Sequence, residues 1–181
     1  MRFSVPILAV YISASLLAQV GAKVPDLKIY VFGDSDDRYC AFSRADRWNS
    51  EMKTHAASET GTLTYSNGSL ATIQLQYVDE SGDWSVNETY RLDATKQLIS
   101  LSRTVSVRDG DEHESWLIKN GKAIRQPSAK QSPALDFVPD LPVVTQLNGF
   151  PFWELVRDHE REIRSTGTAC TAEGGPPAIK P

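Results

Sequence analysis

The sequence predicts an α+β fold, in which an antiparallel β-meander of five to six strands forms one curved sheet packed on one face by two helices. Apolar and polar residues alternate over 62–125, the period of strands with one buried face. The pairs Asn67-Gly68 and Asn120-Gly121 are typical of tight hairpin turns, because both residues of each pair accept a positive φ. Apolar residues at helical spacing flank this region on both sides.

The start of the chain has the pattern of a secretory signal peptide. Arg2 precedes an apolar run over 3–20, and small residues follow up to a cleavage point after Ala22. An uncleaved membrane anchor is the alternative interpretation of this run. We expect a signal peptide over 1–22, a single α+β domain over 23–165 and a flexible C-terminal tail over 166–181.

Composition limits the classes of partner. The 181 residues carry a net charge of −4, which argues against nucleic acid, since phosphate contacts need clustered Lys and Arg. Residues after the predicted signal peptide form neither a run of about 18 apolar residues nor a polybasic stretch. We therefore expect no membrane anchor after cleavage, and a secreted or periplasmic location.

The predicted location outside the cytosol determines how the two cysteines, Cys40 and Cys170, are interpreted. Export exposes a chain to oxidising conditions, and an even number of cysteines then favours a disulfide. We predict a Cys40–Cys170 bond that ties the front of the domain to its tail. Two free thiols are the alternative.

Residues 27–32 have the composition of a strand that adds to the sheet edge. Ser43 and Asp46 then form a capping pattern before apolar residues at three- and four-residue steps, which predicts a helix over 44–57. Pro-rich residues 126–142 indicate an extended connection, and a second helix is predicted over 151–164. Both helices are expected to cover the apolar face of the sheet.

Two charges interrupt the apolar rows of the meander. The rows are Ala71 to Tyr77, Trp84 to Leu92, Ile99 to Val107 and Trp116 to Ile118. Glu88 and Arg103 lie within two of these rows, and the hairpin at 93–96 brings them opposite or diagonal to one another. We predict that they pair, because a charge on an inward face needs a partner. The pair is either structural or part of a ligand-binding face.

Phe32-Gly33-Asp34-Ser35 follows the first predicted strand. In these residues the chain resembles the first block of the GDSL esterase and lipase family, whose serine nucleophile lies near the N-terminus. The resemblance implies that Ser35 is the nucleophile and that His159 supplies the base, although Asp158 is adjacent to His159 where the family has a spacing of three. It also implies a parallel sheet with helices on both faces, in conflict with the meander.

Other motifs predict neither a metal nor a cofactor. His113-Glu114 and His159-Glu160 begin like zinc-protease helices, but the position of the second histidine holds Leu117 or Ile163. Asn67-Gly68-Ser69 and Asn87-Glu88-Thr89 have the sequence of N-glycosylation acceptors, which matters only in a eukaryotic host.

The leading functional hypothesis is an exported, soluble, non-enzymatic binding or accessory protein for a small apolar ligand or a protein partner. It follows from the signal peptide, the one-sided sheet and the missing catalytic sets. One alternative is a serine esterase of GDSL type that uses Ser35. A second alternative is a structural or inhibitory surface module.

Overall fold

The computed structural model describes residues 26–33, 38–53, 59–79, 81–108, 110–127 and 141–171. The predicted signal peptide over 1–22 lies outside these ranges. The strands are β1 Leu27–Gly33, β2 Tyr39–Phe42, β3 Glu59–Ser66, β4 Ser69–Val78, β5 Trp84–Leu92, β6 Leu98–Val107, β7 Gly110–Lys119, β8 Lys122–Arg125 and β9 Thr168–Cys170. The helices are α1 Ala45–Glu51 and α2 Trp153–Thr166, with a 3-10 turn at Leu147–Gly149 before α2.

All nine strands form one curved, unclosed sheet in the order β8-β7-β6-β5-β4-β3-β1-β2-β9, and every pairing is antiparallel. The predicted α+β class and the meander, which runs from β3 to β8, are confirmed. The strand count was underestimated, because β2 and β9 were not anticipated. β1 lies inside the sheet between β3 and β2, not at its edge as expected.

Both Asn-Gly turns occur as predicted. The φ angles are 50° and 78° at Asn67 and Gly68, and 51° and 69° at Asn120 and Gly121. These turns join β3 to β4 and β7 to β8 with two residues each. They fix the register that places the apolar residues of successive strands on one face.

This apolar face, called here the core face, carries the hydrophobic core. One cross-strand row of buried residues runs along Ile29, Leu63, Ile73, Tyr90, Leu101 and Trp116. Leu155, Val156 and Ile163 of α2 pack on the core, and Phe150 and Phe152 extend it before the helix. The Tyr90 ring meets Phe150 edge-on at 5.0 Å between centroids, which anchors this segment.

The two helices do not share a face, contrary to the prediction. Phe32, Cys40 and Phe42 point away from the core face and form a second cluster, on which Trp48 and Met52 pack. α1 therefore covers the opposite face, called here the outer face, at the β1–β2 end. Strand alternation explains the difference, since β2 presents bulky apolar residues on both of its faces.

α1 is also shorter than the predicted helix over 44–57. Its N-cap is Arg44, with no side-chain capping bond, and residues 54–58 lie outside the described ranges. The hydroxyl of Ser43 donates instead to the carbonyl of Ile163 at 2.8 Å. The Ser43 hydroxyl, which the local sequence pattern predicts to cap α1, is therefore used in a tertiary contact to α2.

The predicted apolar row of β6 breaks at its start. The β5–β6 register shifts between Arg91 and Leu92, which pairs Leu92 with Leu98. Ile99, expected inside, is 42% exposed, and Leu98 is buried in its place. An extra residue in one strand moves the side chains on one side of it to the other face.

The C-terminal segment adds the edge strand β9 to the sheet. α2 is shifted by two residues from the predicted 151–164 and ends at Gly167, whose φ of 93° suits glycine. β9 then pairs with β2, although it lies in the range assigned to a tail; residues 172–181 lie outside the description.

Within the described ranges, no helix has the length and apolarity needed to span a membrane.

The predicted disulfide is present. Cys40 of β2 and Cys170 of β9 are cross-strand neighbours with their Cα atoms 4.0 Å apart, and their sulfurs are bonded. Cys40 is buried and Cys170 is exposed. The bond fastens the edge strand to the sheet across 130 residues of sequence.

Candidate ligand-binding site on the core face

Polar side chains meet at one end of the core face. In the register of β2, β1 and β3, Gly33 lies opposite both Tyr39 and Glu59. The Tyr39 ring crosses Gly33 so closely that a Cβ there would lie 2.7 Å from its Cε1 atom. Because glycine leaves this room, the Tyr39 hydroxyl reaches Glu59 and donates to Oε2 at 3.4 Å.

One carboxylate oxygen of Glu59 has no hydrogen-bond partner among the described residues. Its Oε1 is buried and accepts no hydrogen bond from the described residues. Burial raises the pKa of Glu59 to about 7, a rise that the Tyr39 and Tyr77 hydroxyls oppose and the Glu88 charge reinforces. Tyr77, the cross-strand neighbour of Glu59, has its own pKa raised by burial and by these carboxylates.

Glu88 and Arg103 lie directly opposite one another on β5 and β6. The Arg103 Nε donates to Glu88 Oε1 at 2.7 Å, and Nη2 lies 2.6 Å from the same oxygen. The Tyr90 hydroxyl donates to Glu88 Oε2 at 3.1 Å. The predicted pairing is confirmed. Burial raises the pKa of Glu88, and the Arg103 charge opposes that rise.

Arg103 has three further partners. Its Nη2 donates to the Leu141 carbonyl at 2.8 Å, and its Nη1 lies 3.6 Å from Glu114 Oε2. The guanidinium carbon lies 4.9 Å from the centre of the Trp116 ring, in cation–π contact. These contacts join three strands to the segment before α2. A role of Glu88 and Arg103 in ligand binding stays a prediction.

A second buried carboxylate lies at the other end of the Glu59 row. The row runs Glu59, Tyr77, Val86, Val105 and Glu112. Glu112 is 8% exposed, and its Oε2 has no hydrogen-bond partner in the described part of the chain. Its neighbour Glu114 is engaged by Arg125 as well as Arg103. Within the described ranges, the core face thus has a buried acceptor without a hydrogen-bond partner at each end of this row.

Of the residues that the esterase resemblance implies, the structure describes His159 and its neighbour Asp158. Ser35 lies outside the described residues. His159 lies on the exposed side of α2, with its Nδ1 2.8 Å from Glu162 Oε2. The strands beside β1 are both antiparallel to it, whereas the resemblance implies a parallel sheet.

A separate cleft of about 480 Å³ lies on the outer face beside the disulfide. Phe42, Arg47 and Cys170 are among its lining residues, and Arg47 Nη1 donates to the Thr166 carbonyl at 3.1 Å. No three His, Cys, Asp or Glu side chains of the described ranges are grouped to hold a metal ion. That the protein uses neither a metal ion nor a cofactor stays a prediction.

Sequence reasoning missed Glu59, Glu112 and the contribution of Tyr39. The alternation that identifies Leu63 and Trp116 as inward-facing extends backwards to Glu59 and Glu112 at even steps. The apolar residues of both rows stop before these two positions, so their alternation with polar residues does not single out either glutamate. Tyr39 gave no such signal, since its position depends on the pairing of β1 with β2.

Comparison of the chain with protein-family models, with curated proteins and with solved structures finds no match.

Glu59 makes stability depend on pH. The folded pKa of about 7 lies above the ordinary value of 4.5, so the folded state keeps a proton that the unfolded state releases between these values. The free energy of unfolding is therefore expected to fall by up to about 3 kcal/mol as pH rises through this window, and to lose nothing further above it. Urea denaturation across the window measures this slope.

Glu59→Gln is the matched variant, because the amide keeps the shape of the side chain and does not ionise. Since the pKa of Glu88 is also raised, the relevant quantity is the difference between wild type and variant. The variant is expected to gain stability relative to wild type as pH rises. If the free energy of unfolding changed with pH in the same way for both proteins, the attribution of this pH dependence to Glu59 would be contradicted.

Proposed function

We propose that this chain is an exported, non-enzymatic binding protein that holds a small ligand against the core face. The observation that carries the proposal is the buried Oε1 of Glu59, which lies beside the Tyr39 and Tyr77 rings and accepts no hydrogen bond from the described part of the chain. An unsatisfied buried acceptor costs about 1–3 kcal/mol, so a ligand that donates a hydrogen bond there recovers this energy. The two aromatic rings supply an apolar surface for the rest of the ligand.

Charge favours an amine as the donating group. The described strands place four carboxylates and two guanidiniums on the core face, namely Glu59, Glu88, Glu112, Glu114, Arg103 and Arg125. The Arg103 and Arg125 charges are already paired with Glu88 and Glu114. Among the described residues, Glu59 and Glu112 each keep one buried carboxylate oxygen without a hydrogen-bond partner, which supports a ligand with an apolar body and a protonated amine.

Export is part of the same proposal. The basic and apolar residues over 1–22 support a secretory signal. The Cys40–Cys170 disulfide supports an oxidising compartment, since such bonds are rare where thiols are kept reduced.

Titration with dansylcadaverine, a fluorescent primary amine with an aromatic body, tests the ligand class. At a pH above the pKa of Glu59, the wild-type chain is expected to bind the probe saturably. Glu59→Gln removes the negative charge and is expected to weaken binding about tenfold or more, the size of a charge-assisted hydrogen bond. Glu154→Gln on the exposed side of α2 is the control and is expected to leave the affinity unchanged.

The N-acetylated probe separates the two parts of the proposal. It keeps the aromatic body and removes the positive charge, so it is expected to bind weakly and with little dependence on Glu59. If neither probe binds, the ligand-binding function is contradicted. Equal affinities of wild type and Glu59→Gln for the amine would place binding away from this carboxylate.

A further inference from the structure

Two N-glycosylation sequons of the sheet have exposed acceptor asparagines that the ligand proposal does not use. Asn67-Gly68-Ser69 spans the β3–β4 turn, and Asn87-Glu88-Thr89 lies within β5. Both asparagine side chains are exposed, as is Ser69. An acceptor asparagine must carry a bulky, hydrophilic glycan after folding, so exposure decides whether the native fold tolerates the modification.

Asn67 occupies the tip of a hairpin. It is the first of two turn residues with positive φ, followed by Gly68, and neither packs against the core. Its side chain leaves the sheet at the point where the chain reverses. A glycan there extends into solvent without touching either face of the sheet.

Asn87 is in the middle of the outer face. Its cross-strand neighbours are Gln76 and Thr104, both polar and uncharged, and Thr89 of the sequon lies on the same face two residues on. α1, the helix that packs on the outer face, does so at β1 and β2, at the other end of the sheet. The central residue Glu88 points the opposite way, into its pair with Arg103. A glycan on Asn87 therefore leaves that pair undisturbed.

We propose that both Asn67 and Asn87 are N-glycosylated when the chain enters a eukaryotic secretory pathway. The co-reactant is an oligosaccharide linked to a polyprenyl pyrophosphate. The side-chain amide nitrogen forms a bond to C1 of the first sugar, the bond from C1 to the pyrophosphate oxygen breaks, and the amide loses one proton. The polyprenyl pyrophosphate is the leaving group, and nothing is oxidised or reduced.

The glycan on Asn87 and the proposed ligand site lie on opposite faces of the sheet. It covers the outer face over β4 to β6, where hydroxyl and amide side chains prevail. Glu59 and Glu112 lie on the core face, on the other side of the sheet from this glycan. Glycosylation thus keeps the broad polar face away from other macromolecules, and it adds no sugar to the side of the sheet that holds the proposed ligand site.

The test is secretion of the full chain from yeast behind the host's own leader, followed by intact mass measurement before and after peptide N-glycosidase treatment. We expect two glycosidase-sensitive additions of mass on the wild type. Asn67→Gln and Asn87→Gln are each expected to lose one, and the double variant both. Ser69→Ala and Thr89→Ala keep the asparagines and are expected to lose the same additions, because the transferase needs the hydroxyl.

Asn120-Gly121-Lys122 is an internal control. It forms a turn with nearly the same φ angles as Asn67-Gly68, and Lys122 stands where the hydroxyl residue would be. Asn120 is expected to stay unmodified, whereas Lys122→Ser is expected to add a third glycan. A wild-type chain secreted at its unmodified mass overturns the proposal, and a single addition overturns it for the site that lacks one. These outcomes are independent of ligand binding.

Discussion

Replacing Arg103 with methionine is expected to lower the free energy of unfolding by about 3–5 kcal/mol near neutral pH. The variant leaves the Glu88 carboxylate, which is 2% exposed, without its charge partner, and removes the donor to the Leu141 carbonyl. Loss of Arg103 raises the pKa of Glu88 further, so the destabilisation is expected to shrink at acid pH, where Glu88 is protonated in both states. Chemical denaturation at two pH values measures both effects.

Two comparisons separate the buried pair from a general effect of charge. Glu88→Leu combined with Arg103→Met removes both charges and is expected to recover much of the loss, because no unpaired charge stays buried. Arg91→Met removes an exposed arginine from the outer face of β5 and is expected to cost less than about 0.5 kcal/mol. A loss for Arg103→Met no larger than for Arg91→Met would contradict a stabilising role for the pair.

Removing the disulfide is expected to have a comparable effect. In the chain-entropy account, a bond that closes 130 residues restricts the unfolded chain by about 4–5 kcal/mol. Cys40→Ala with Cys170→Ala is therefore expected to shift the denaturation midpoint strongly, with β9 as the first element to separate. Denaturant titration gives the free energy, and hydrogen exchange of the β2 and β9 amides locates the loss.

Reduction of the wild type supplies the matched control. After thiol titration has verified that both sulfurs are reduced, the protein is expected to show the stability of the double alanine variant. An unchanged midpoint after complete reduction would show that the sheet edge holds without the bond.

The alternation of apolar and polar residues predicted the meander and one face of most of its strands. It works because each strand from β3 to β7 buries one face and exposes the other, so every second residue reports its environment. The same logic, with the turn at 93–96, placed Glu88 opposite Arg103. Ile99 was wrongly predicted to face inward, because the β5–β6 register shifts beside it and interrupts the two-residue alternation.

The missed elements lack that signal. All four residues of β2 are buried, because one side faces the core and the other faces α1, so no alternation exists to detect. β9 has three residues, and its pairing with β2 joins segments more than a hundred residues apart. The side of the sheet covered by α1 follows from that pairing, which no local pattern encodes.

The candidate site was predicted in part for a related reason. Glu88 and Arg103 stand out because they interrupt apolar rows, whereas Glu59 and Glu112 lie at row ends, where a charge is ordinarily solvated. Their burial comes from tertiary packing. Gly33 is similar, because its role in admitting the Tyr39 ring depends on a cross-strand neighbour rather than on the residues beside it.

The Cys40–Cys170 bond also sets an order of events during biosynthesis. Cys40 leaves the ribosome long before Cys170, so the Cys40 thiol has no bonding partner while β3 to β8 and α2 are synthesised. Until β9 arrives, β2 is an open strand edge on an otherwise assembled sheet, the kind of edge that recruits other chains. The last strand to be synthesised therefore ends a period of exposure to misassembly, and oxidation makes that step hard to reverse.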